Sequence, residues 1–528
     1  MIKNNKELKY IAPTLIWMGI ITIWTYFFAI NRLDSDMSSE LVLARELALE
    51  NKLITSNWFY STEIRVLNTQ FIAMPLFKIF TSWKMIRVIE GMILNVFLLG
   101  SYLYCMKPTR IDKKYIYLSS MFLFIPFSMT YIDIVFIGHF YLPHYIMGFV
   151  SFGLFMRVLE QRDIKKVILY LFLAFICGIS GVRYMLSIQI PVSMVSYIIF
   201  FRECKKEKVS IFSVENLKNK YVLLPSIGLL LSAVGYLINE KLLHQFFSFR
   251  SYENIVWMDL KKNNLAYRLA SRLSDVLGLF GYYDGHQVMS ASGIVSLFAI
   301  VSVSFIIVIV YQLIKQRRNL NINQIFIVLV FISSFFVNGF VFSLTDPIYQ
   351  PRYFIVPLVL VVPVIALYFF KCNRFKEEIN KLIAIGLSIV LNINGLASIY
   401  WTQKYSMTSE LQKIYACLEA NDLHFGYASF WSANVLTELS NGEIDVFHTD
   451  DFLSLTPNKW LMPKRYTKKD FLEETKGDEV FILMLNEEYE ENKANDLIKK
   501  GKCIYQKQNY RILVYDKKVI KTYLVGDE

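Results

Sequence analysis

The chain has 528 residues, 55% of them hydrophobic, and its mean hydropathy is +0.38. This composition is too apolar for an ordinary soluble protein, and the chain is too long for one membrane hairpin, so several membrane spans are expected. The net charge of +12 does not indicate nucleic-acid binding, because the basic residues stand in short clusters between apolar runs. The six cysteines form no CxxC pair and no cysteine–histidine spacing suited to zinc.

Eleven apolar windows approach the roughly 20 residues that a membrane span requires. They lie near residues 11–30, 84–106, 115–132, 137–157, 166–182, 184–201, 221–240, 290–314, 322–343, 353–370 and 382–400. The first lacks a small-residue cleavage site, so we expect a retained helix rather than a cleaved signal peptide. The breaks at 131–137 and 181–185 are the least distinct, and nine spans would remain if the helices beside each break fused.

Basic clusters occupy every second connection, which predicts the orientation of the chain in the membrane. They fall at residues 3–9, 107–114, 157–166, 202–208, 315–318 and 371–376. Lys and Arg concentrate in cytoplasmic connections. We therefore expect a multi-pass membrane protein with a cytoplasmic N-terminus and an extracytoplasmic C-terminal segment.

Three segments on the predicted outer side are too long to be simple connectors: 31–83, 241–289 and 401–528. In the first, Ser38 or Ser39 can begin an interfacial helix that runs to about Glu50. A second amphipathic stretch covers about 265–280, within the second segment. We expect function to reside in these segments.

The third segment alternates helical periodicity with short β-rich runs. Helices are predicted at Ser409–Ala420, Ser432–Ser440, Lys468–Thr475 and Glu487–Lys500, and strands at Phe425–Ser429, Ile444–Phe447, Val480–Leu485 and Tyr510–Tyr515. The sequence therefore predicts a membrane domain at 1–400 and a small extracytoplasmic α/β domain at 401–528.

Two carboxylates, Asp34 and Asp36, lie just beyond the first span, where a helix is predicted to begin. Helix capping and favourable helix-dipole electrostatics are one interpretation. The D-x-D spacing also matches metal-diphosphate sites of soluble nucleotide-sugar transferases. We reject that second interpretation, because nucleotide sugars are not normally supplied outside the membrane.

Polar and aromatic side chains are dense in the stretch 57–70. Its aromatic residues suit anchors at the membrane interface. Glu63, Arg65, Asn68 and Gln70 are less easily explained this way, because buried polar groups at membrane depth are costly and usually line a cavity.

Four further polar side chains lie near span ends on the same predicted outer side: His139, His144, Arg183 and Arg352. A guanidinium at this position can bind a lipid phosphate. It can equally extend to the lipid head groups. In the C-terminal segment, Tyr427, Phe430 and Trp431 can stack on a sugar or form the core of a small domain.

The first outer segment resembles that of the GT-C superfamily of polytopic glycosyltransferases, which includes bacterial aminoarabinose transferases and protein O-mannosyltransferases. Asp36 and Ala44-Arg45-Glu46-Leu47 match the acid and amphipathic helix of that group, and Arg352-Tyr353-Phe354-Ile355-Val356-Pro357 matches its late Arg-Tyr…Pro motif. The runs 34–70 and 425–434 resemble uncharacterised bacterial members. Two departures are Met37, where many members have a second acid, and Asn68-Thr69-Gln70-Phe71, which replaces Pro-Pro-Leu.

The resemblance implies a protein of the bacterial plasma membrane that transfers a sugar from a polyprenyl-phosphate donor to a glycan, lipid or protein of the cell envelope. The transfer would take place on the extracytoplasmic face, by inverting direct displacement. Asp36 would be the general base, with Asp34 and Glu63 as alternative carboxylates for that role. Arg352 and Arg183 would hold the donor phosphate. Predicted substrate contacts are Arg65, Gln70, His139, Tyr353 and Trp431. No cofactor is assigned, and a divalent metal is left open. The competing hypotheses are a flippase or transporter of lipid-linked glycans and an O-antigen-type polymerase or ligase.

Overall fold

The structure of the protein is a computed structural model. It describes residues 5–161, 163–210, 216, 218–250, 256–259, 262, 264–345, 350–372, 378–467, 470–507 and 509–524. Four basic residues of the clusters named above lie outside the described residues: Lys3, Arg162, Arg374 and Lys376.

Helices form most of the first 404 residues. In chain order they are α1 (Asn5–Phe28), α2 (Ser35–Glu50), α3 (Gln70–Leu76), α4 (Trp83–Met106), α5 (Lys113–Ser119), α6 (Met129–Tyr131), α7 (Leu142–Glu160), α8 (Ile164–Ile179), α9 (Val182–Tyr184), α10 (Ile190–Glu207), α11 (Lys220–Leu237), α12 (Leu265–Gly278), α13 (Ala291–Lys315), α14 (Ile322–Leu344), α15 (Ile355–Val359), α16 (Val361–Cys372) and α17 (Glu378–Lys404). Short 3-10 or π turns extend or join several of them; the π turn Met185–Gln189, for example, makes α9 and α10 continuous.

Within the described part of the chain, nine helical segments are long and apolar enough to cross a membrane. They are Glu7–Arg32, Trp83–Thr109, Leu142–Glu160, Val182–Glu207, Lys220–Gln245, Ala291–Lys315, Ile322–Leu344, Pro351–Cys372 and Glu378–Ala420. The protein is therefore a multi-pass helical membrane protein, as the sequence predicts.

Two of the eleven predicted windows differ from this set. The window 115–132 is interrupted around Pro126, because proline disfavours helix at the residue before it, and Ser128 caps the short helix that follows. The window 166–182 forms α8, which has 16 residues and stops short of Gly181. At 1.5 Å per residue α8 measures about 24 Å, less than the bilayer core of about 30 Å. The helices beside each predicted break stay separate rather than fusing.

Contacts between helix ends define two sides of the membrane domain. On the side that carries the segment 31–83, which we call the loop face, Arg32 forms an ion pair with Asp133 at 2.6 Å and donates to the Tyr405 carbonyl at 3.0 Å. On the opposite side, Arg110 lies 3.4 Å from Glu160. Asp133 and Tyr405 therefore lie at the same end of the helix bundle as the segment 31–83.

The C-terminal segment folds into an α/β unit. Its helices are α18 (Ser409–Ala420), α19 (Phe430–Leu439), α20 (Phe471–Glu474), α21 (Asn486–Asn492), α22 (Asp496–Lys500) and α23 (Lys517–Lys521). The predicted α/β character is confirmed. The predicted helix Glu487–Lys500 is divided in two at Asn495, which caps α22, and the predicted helix at Lys468–Thr475 is shorter, its first two positions lying outside the described residues.

A six-stranded sheet forms the centre of this unit. Five of its strands are β3 (Phe425–Ala428), β4 (Asp445–Asp451), β7 (Glu479–Leu485), β8 (Lys502–Lys507) and β9 (Tyr510–Asp516), and β5 (Thr456–Pro457) completes the order β5-β4-β3-β7-β9-β8. β3 runs parallel to β4 and β7, and β9 runs antiparallel to β7 and β8. The sequence analysis missed β8, whose lysines and glutamine lower its β-rich character.

A second, three-stranded sheet joins the three long segments of the loop face. β1 (Trp58–Tyr60) pairs in parallel with β2 (Ser248–Phe249) and antiparallel with β6 (Met462–Pro463). These strands come from the first segment, the second segment and the C-terminal segment. The sheet therefore fixes all three beside one another at the loop face.

Candidate functional site

The first acidic pair lies where α2 begins, directly after the first span. Asp34, rather than Ser38 or Ser39, caps the helix, and its Oδ1 accepts a hydrogen bond from the Met37 N–H at 2.8 Å. Burial, followed by the neighbouring charge of Asp36, raises the pKa of Asp34 to about 6. Asp34 is therefore a partly desolvated carboxylate at the start of α2.

Asp36 contacts an arginine on a distant span of the helix bundle. Its Oδ2 lies 3.1 Å from Nη2 of Arg352, which stands in the 3-10 turn Pro351–Phe354 that opens the eighth span. Both side chains are about a quarter exposed or less, at 20% and 26%. The structure thus joins the predicted base to the predicted phosphate-binding arginine, 316 positions apart in the chain.

Two aromatic residues connect the second predicted arginine to the same region. Arg183 donates a hydrogen bond to the Tyr141 hydroxyl at 3.0 Å, and its guanidinium lies 4.8 Å from the ring centroid of Tyr353. Tyr353 is adjacent in sequence to Arg352. Such cation–π contacts orient a guanidinium without neutralising its charge. Arg183 and Arg352 therefore place two positive charges at the loop face near Asp36.

Glu63 lies against the break between α8 and α9. Gly181, which precedes α9, has a φ of +121°, and a Cβ added there would come within 2.7 Å of the Glu63 carboxylate. A side chain at 181 would displace Glu63. The glycine thus allows the first segment to pack closely on the start of the helix that carries Arg183.

Arg65 and Gln70 both contact Glu40, an α2 residue that the sequence analysis did not single out. Arg65 Nη1 lies 3.2 Å from Glu40 Oε1, and Gln70 Nε2 donates to Glu40 Oε2. Burial raises the pKa of Glu40 above its usual value, although the charge of Arg65 opposes that effect. These contacts attach the stretch 65–70 to the middle of α2. Arg65 is partly exposed, and the role of both residues in substrate binding stays a prediction.

His139 is enclosed within the protein. Its Nδ1 lies 3.2 Å from Glu90 Oε2, and its Nε2 lies 2.8 Å from the Phe136 carbonyl. Only 1% of the residue is exposed, so both ring nitrogens are engaged by the protein itself. His144 is also buried and stacks on Tyr184 with ring centroids 4.0 Å apart.

The aromatic residues Tyr427, Phe430 and Trp431, which lie at the end of β3 and the start of α19, separate into two groups. Tyr427 lies in the core of the six-stranded sheet, and Phe430 is also buried. Trp431 is 64% exposed. The Phe430 carbonyl accepts a hydrogen bond from the Ser35 hydroxyl, so Trp431 lies beside the segment that contains Asp34 and Asp36. Of the three, Trp431 is therefore accessible for the predicted sugar contact.

A buried ion pair that was not predicted from the sequence joins the membrane domain to the C-terminal unit. Arg87 donates to both oxygens of Glu438, at 2.8 and 2.7 Å. The signal was present, because Arg87 and Glu90 are charged residues inside a predicted span, and such residues usually have a specific partner. The identity of the partner depends on tertiary packing.

The sequence leaves open whether the protein binds a divalent metal. Among the residues that the structure describes, no group of three or more His, Cys, Asp or Glu side chains is arranged to hold a metal ion.

Comparison with solved structures identifies the fold. No protein-family model matches the chain, and no curated protein matches it in sequence. ArnT from Cupriavidus metallidurans in the apo state is similar over 96% of this chain and 98% of that chain, with a TM-score of 0.55 and 8% identity. ArnT from the same organism bound to undecaprenyl phosphate gives a TM-score of 0.51 at 8% identity, over 95% of this chain and 97% of that one. The predicted resemblance in fold to GT-C membrane glycosyltransferases is confirmed.

Proposed function

We propose that this chain transfers a sugar from a polyprenyl-phosphate-linked donor to an acceptor of the cell envelope, on the extracytoplasmic side of the membrane. The contact between Asp36 and Arg352 carries the proposal, because it combines a carboxylate with a phosphate-binding group at 3.1 Å. The ArnT-like fold supports it, as does the bound undecaprenyl phosphate of one of the two ArnT structures.

The reaction proceeds by direct displacement at the anomeric carbon of the donor. An acceptor hydroxyl oxygen bonds to that carbon while the bond from the carbon to the phosphate oxygen breaks, so the configuration inverts. Asp36 accepts the hydroxyl proton as general base. The leaving polyprenyl phosphate takes the bonding electrons, and Arg352 and Arg183 stabilise its developing charge.

The ion pair also gives an order to substrate binding. Without donor, Arg352 and Asp36 partly neutralise each other. A donor phosphate competes with Asp36 for the Arg352 guanidinium, which releases the carboxylate toward the acceptor hydroxyl. Binding of the donor therefore frees Asp36 to act as the base, so the acceptor hydroxyl is deprotonated only when the donor is bound.

Mutation of the base tests the proposal. In purified protein reconstituted with a radiolabelled polyprenyl-phosphate sugar and a cell-envelope extract, Asp36→Asn is expected to lower the rate of release of free polyprenyl phosphate by about 100-fold or more. Asp284→Asn is the matched control, because Asp284 is an exposed carboxylate in the second outer segment. Its rate should equal that of the wild type.

Two results would contradict the proposal. One is wild-type turnover by folded Asp36→Asn protein, which removes Asp36 from the base role. The other is movement of intact lipid-linked sugar across vesicles without release of lipid phosphate, which marks a flippase.

A further inference from the structure

One face of the C-terminal helix α19 contacts the start of α2. Phe430, Asn434 and Glu438 are spaced four residues apart, so they lie in a row along the helix. All three residues are buried. Their contacts on α2, made directly or through Arg87, are at Ser35 and Met37.

The contacts at Ser35 come from the first two residues of the row. The Ser35 hydroxyl donates to the Phe430 carbonyl, and Asn434 Nδ2 approaches the Ser35 carbonyl at 3.5 Å. His448, on β4, lies with its Nε2 3.0 Å from Asn434 Oδ1. Because the oxygen of the amide faces His448, the nitrogen of the amide faces Ser35.

The contact at Met37 comes through Arg87. The guanidinium donates to both Glu438 oxygens, to the Met37 carbonyl at 3.2 Å and to the Ile137 carbonyl. Arg87 is 2% exposed, so solvent does not compete for these hydrogen bonds. One buried side chain thus holds α4, α2 and α19 in a fixed relation.

Ser35 and Met37 are the two residues on either side of Asp36. We propose that α19 positions Asp36 for catalysis, with Asn434, Glu438 and Arg87 as positioning residues that act through the backbone of Ser35 and Met37. The inference rests on the proposed function, since it assigns the C-terminal unit a part in the same reaction. Asp36 then faces Arg352 in a geometry that neither the membrane domain nor the C-terminal unit sets alone.

Asn434→Ala tests this inference, because it removes a contact to Ser35 without introducing an unpaired charge. It is expected to lower kcat by roughly tenfold, since small misplacements of a reacting group are costly, and to leave KM for the donor unchanged. Asn434→Asp, which keeps the acceptor for His448 but loses the N–H group directed at Ser35, should also lower kcat. Asn434→Gln, which keeps a side-chain amide at this position, should retain part of the wild-type kcat.

Asn441→Gly is the matched control. Asn441 Oδ1 accepts from the Trp83 N–H at 2.9 Å, so it also attaches the C-terminal unit to the membrane domain, but it does not contact the residues beside Asp36. Glycine tolerates the positive φ of 54° at this position. Asn441→Gly should keep the wild-type kcat.

A double-mutant cycle provides a readout that simple destabilisation would not move. Combined with Asp36→Asn, Asn434→Ala is expected to lower the residual rate no further, because the residue that it positions is already disabled. Additive losses in the cycle, or equal losses of kcat in Asn434→Ala and Asn441→Gly, would overturn the inference. Absence of transfer by the wild-type protein would instead overturn the proposed function.

Discussion

The two acids at the start of α2 have different surroundings, although only one residue separates them. Asp34 accepts the Met37 N–H and caps the helix, whereas Asp36 faces Arg352. A carboxylate whose lone pair is used by the backbone is less available to a substrate hydroxyl. We therefore favour Asp36 over Asp34 as the base, and expect Asp34→Asn to retain more transfer activity than Asp36→Asn.

The titration of Asp34 should affect the stability of the protein. Its pKa is about 6 in the folded protein against an ordinary value of 3.8, so between these pH values the folded state binds the proton more readily. Stability then falls as pH rises from about 4 to about 6, by at most about 3 kcal/mol, since one pKa unit corresponds to about 1.4 kcal/mol.

Asp34→Asn should remove that pH dependence, because asparagine caps the helix and does not titrate. The measurement is the thermal unfolding midpoint in detergent at pH 4, 5, 6 and 7. The variant should gain stability relative to the wild type as pH rises and be at least as stable at pH 7. A constant difference across the series would contradict the assignment.

The sequence predicts which residues belong to the candidate site better than it predicts which of them contact each other. Asp36, Arg183 and Arg352 are notable in the sequence because burial of charged groups near the membrane costs free energy, and such groups usually have a function. Their separation along the chain hides the ion pair, which only the packing of the bundle creates. Glu40 was hidden for a different reason, since it resembles an ordinary polar residue on an amphipathic helix.

At the scale of elements, α19 and α4 are joined by the most deeply buried ion pair between the C-terminal unit and the membrane domain that the described residues contain. Arg87 and Glu438 have side chains that are 2% and 4% exposed. Removal of one partner leaves an uncompensated buried charge, which costs roughly 3–5 kcal/mol. The pair therefore makes docking of α19 sensitive to a single substitution.

Arg87→Met should lower the thermal unfolding midpoint of the protein strongly, whereas the double variant Arg87→Met/Glu438→Leu should recover part of the loss. Lys493→Met is the control, because it breaks an exposed ion pair with Glu490 that solvent screens, so the unfolding midpoint should change little. A double variant no more stable than Arg87→Met would show that the unpaired Glu438 charge is not the cause.

The membrane helices show what hydropathy can predict. Hydropathy located all nine candidate spans of the described residues, because burial in lipid demands apolar side chains over a fixed length. It did not detect the interruption around Pro126 or the early end of α8 before Gly181, because these depend on backbone geometry rather than on average hydropathy. The bounds of α18 were predicted because its apolar periodicity is undisturbed.

For the whole molecule, the orientation predicted from the basic clusters can be tested with its own cysteines. Cys503 is exposed on β8, whereas Cys105, Cys177, Cys204 and Cys372 are buried. A membrane-impermeant maleimide should label the wild type in spheroplasts, and Cys503→Ser should lose most of that label.

An added cysteine on the other side completes the test. Arg318 is exposed in a basic connection opposite the loop face. In the Cys503→Ser background, Arg318→Cys should react only after the membrane is permeabilised. Labelling of Arg318→Cys, but not of Cys503, in intact spheroplasts would show that the orientation is opposite to the predicted one.

The Arg87 contacts have a consequence for biosynthesis. The ribosome completes Arg87 long before Glu438, 351 positions later, so the newly inserted helix carries a cation whose partner does not yet exist. The loop face can close only after the last segment has been translated and delivered to it. A chain truncated before Glu438 would retain the Arg87 guanidinium without its carboxylate partner at the bundle end.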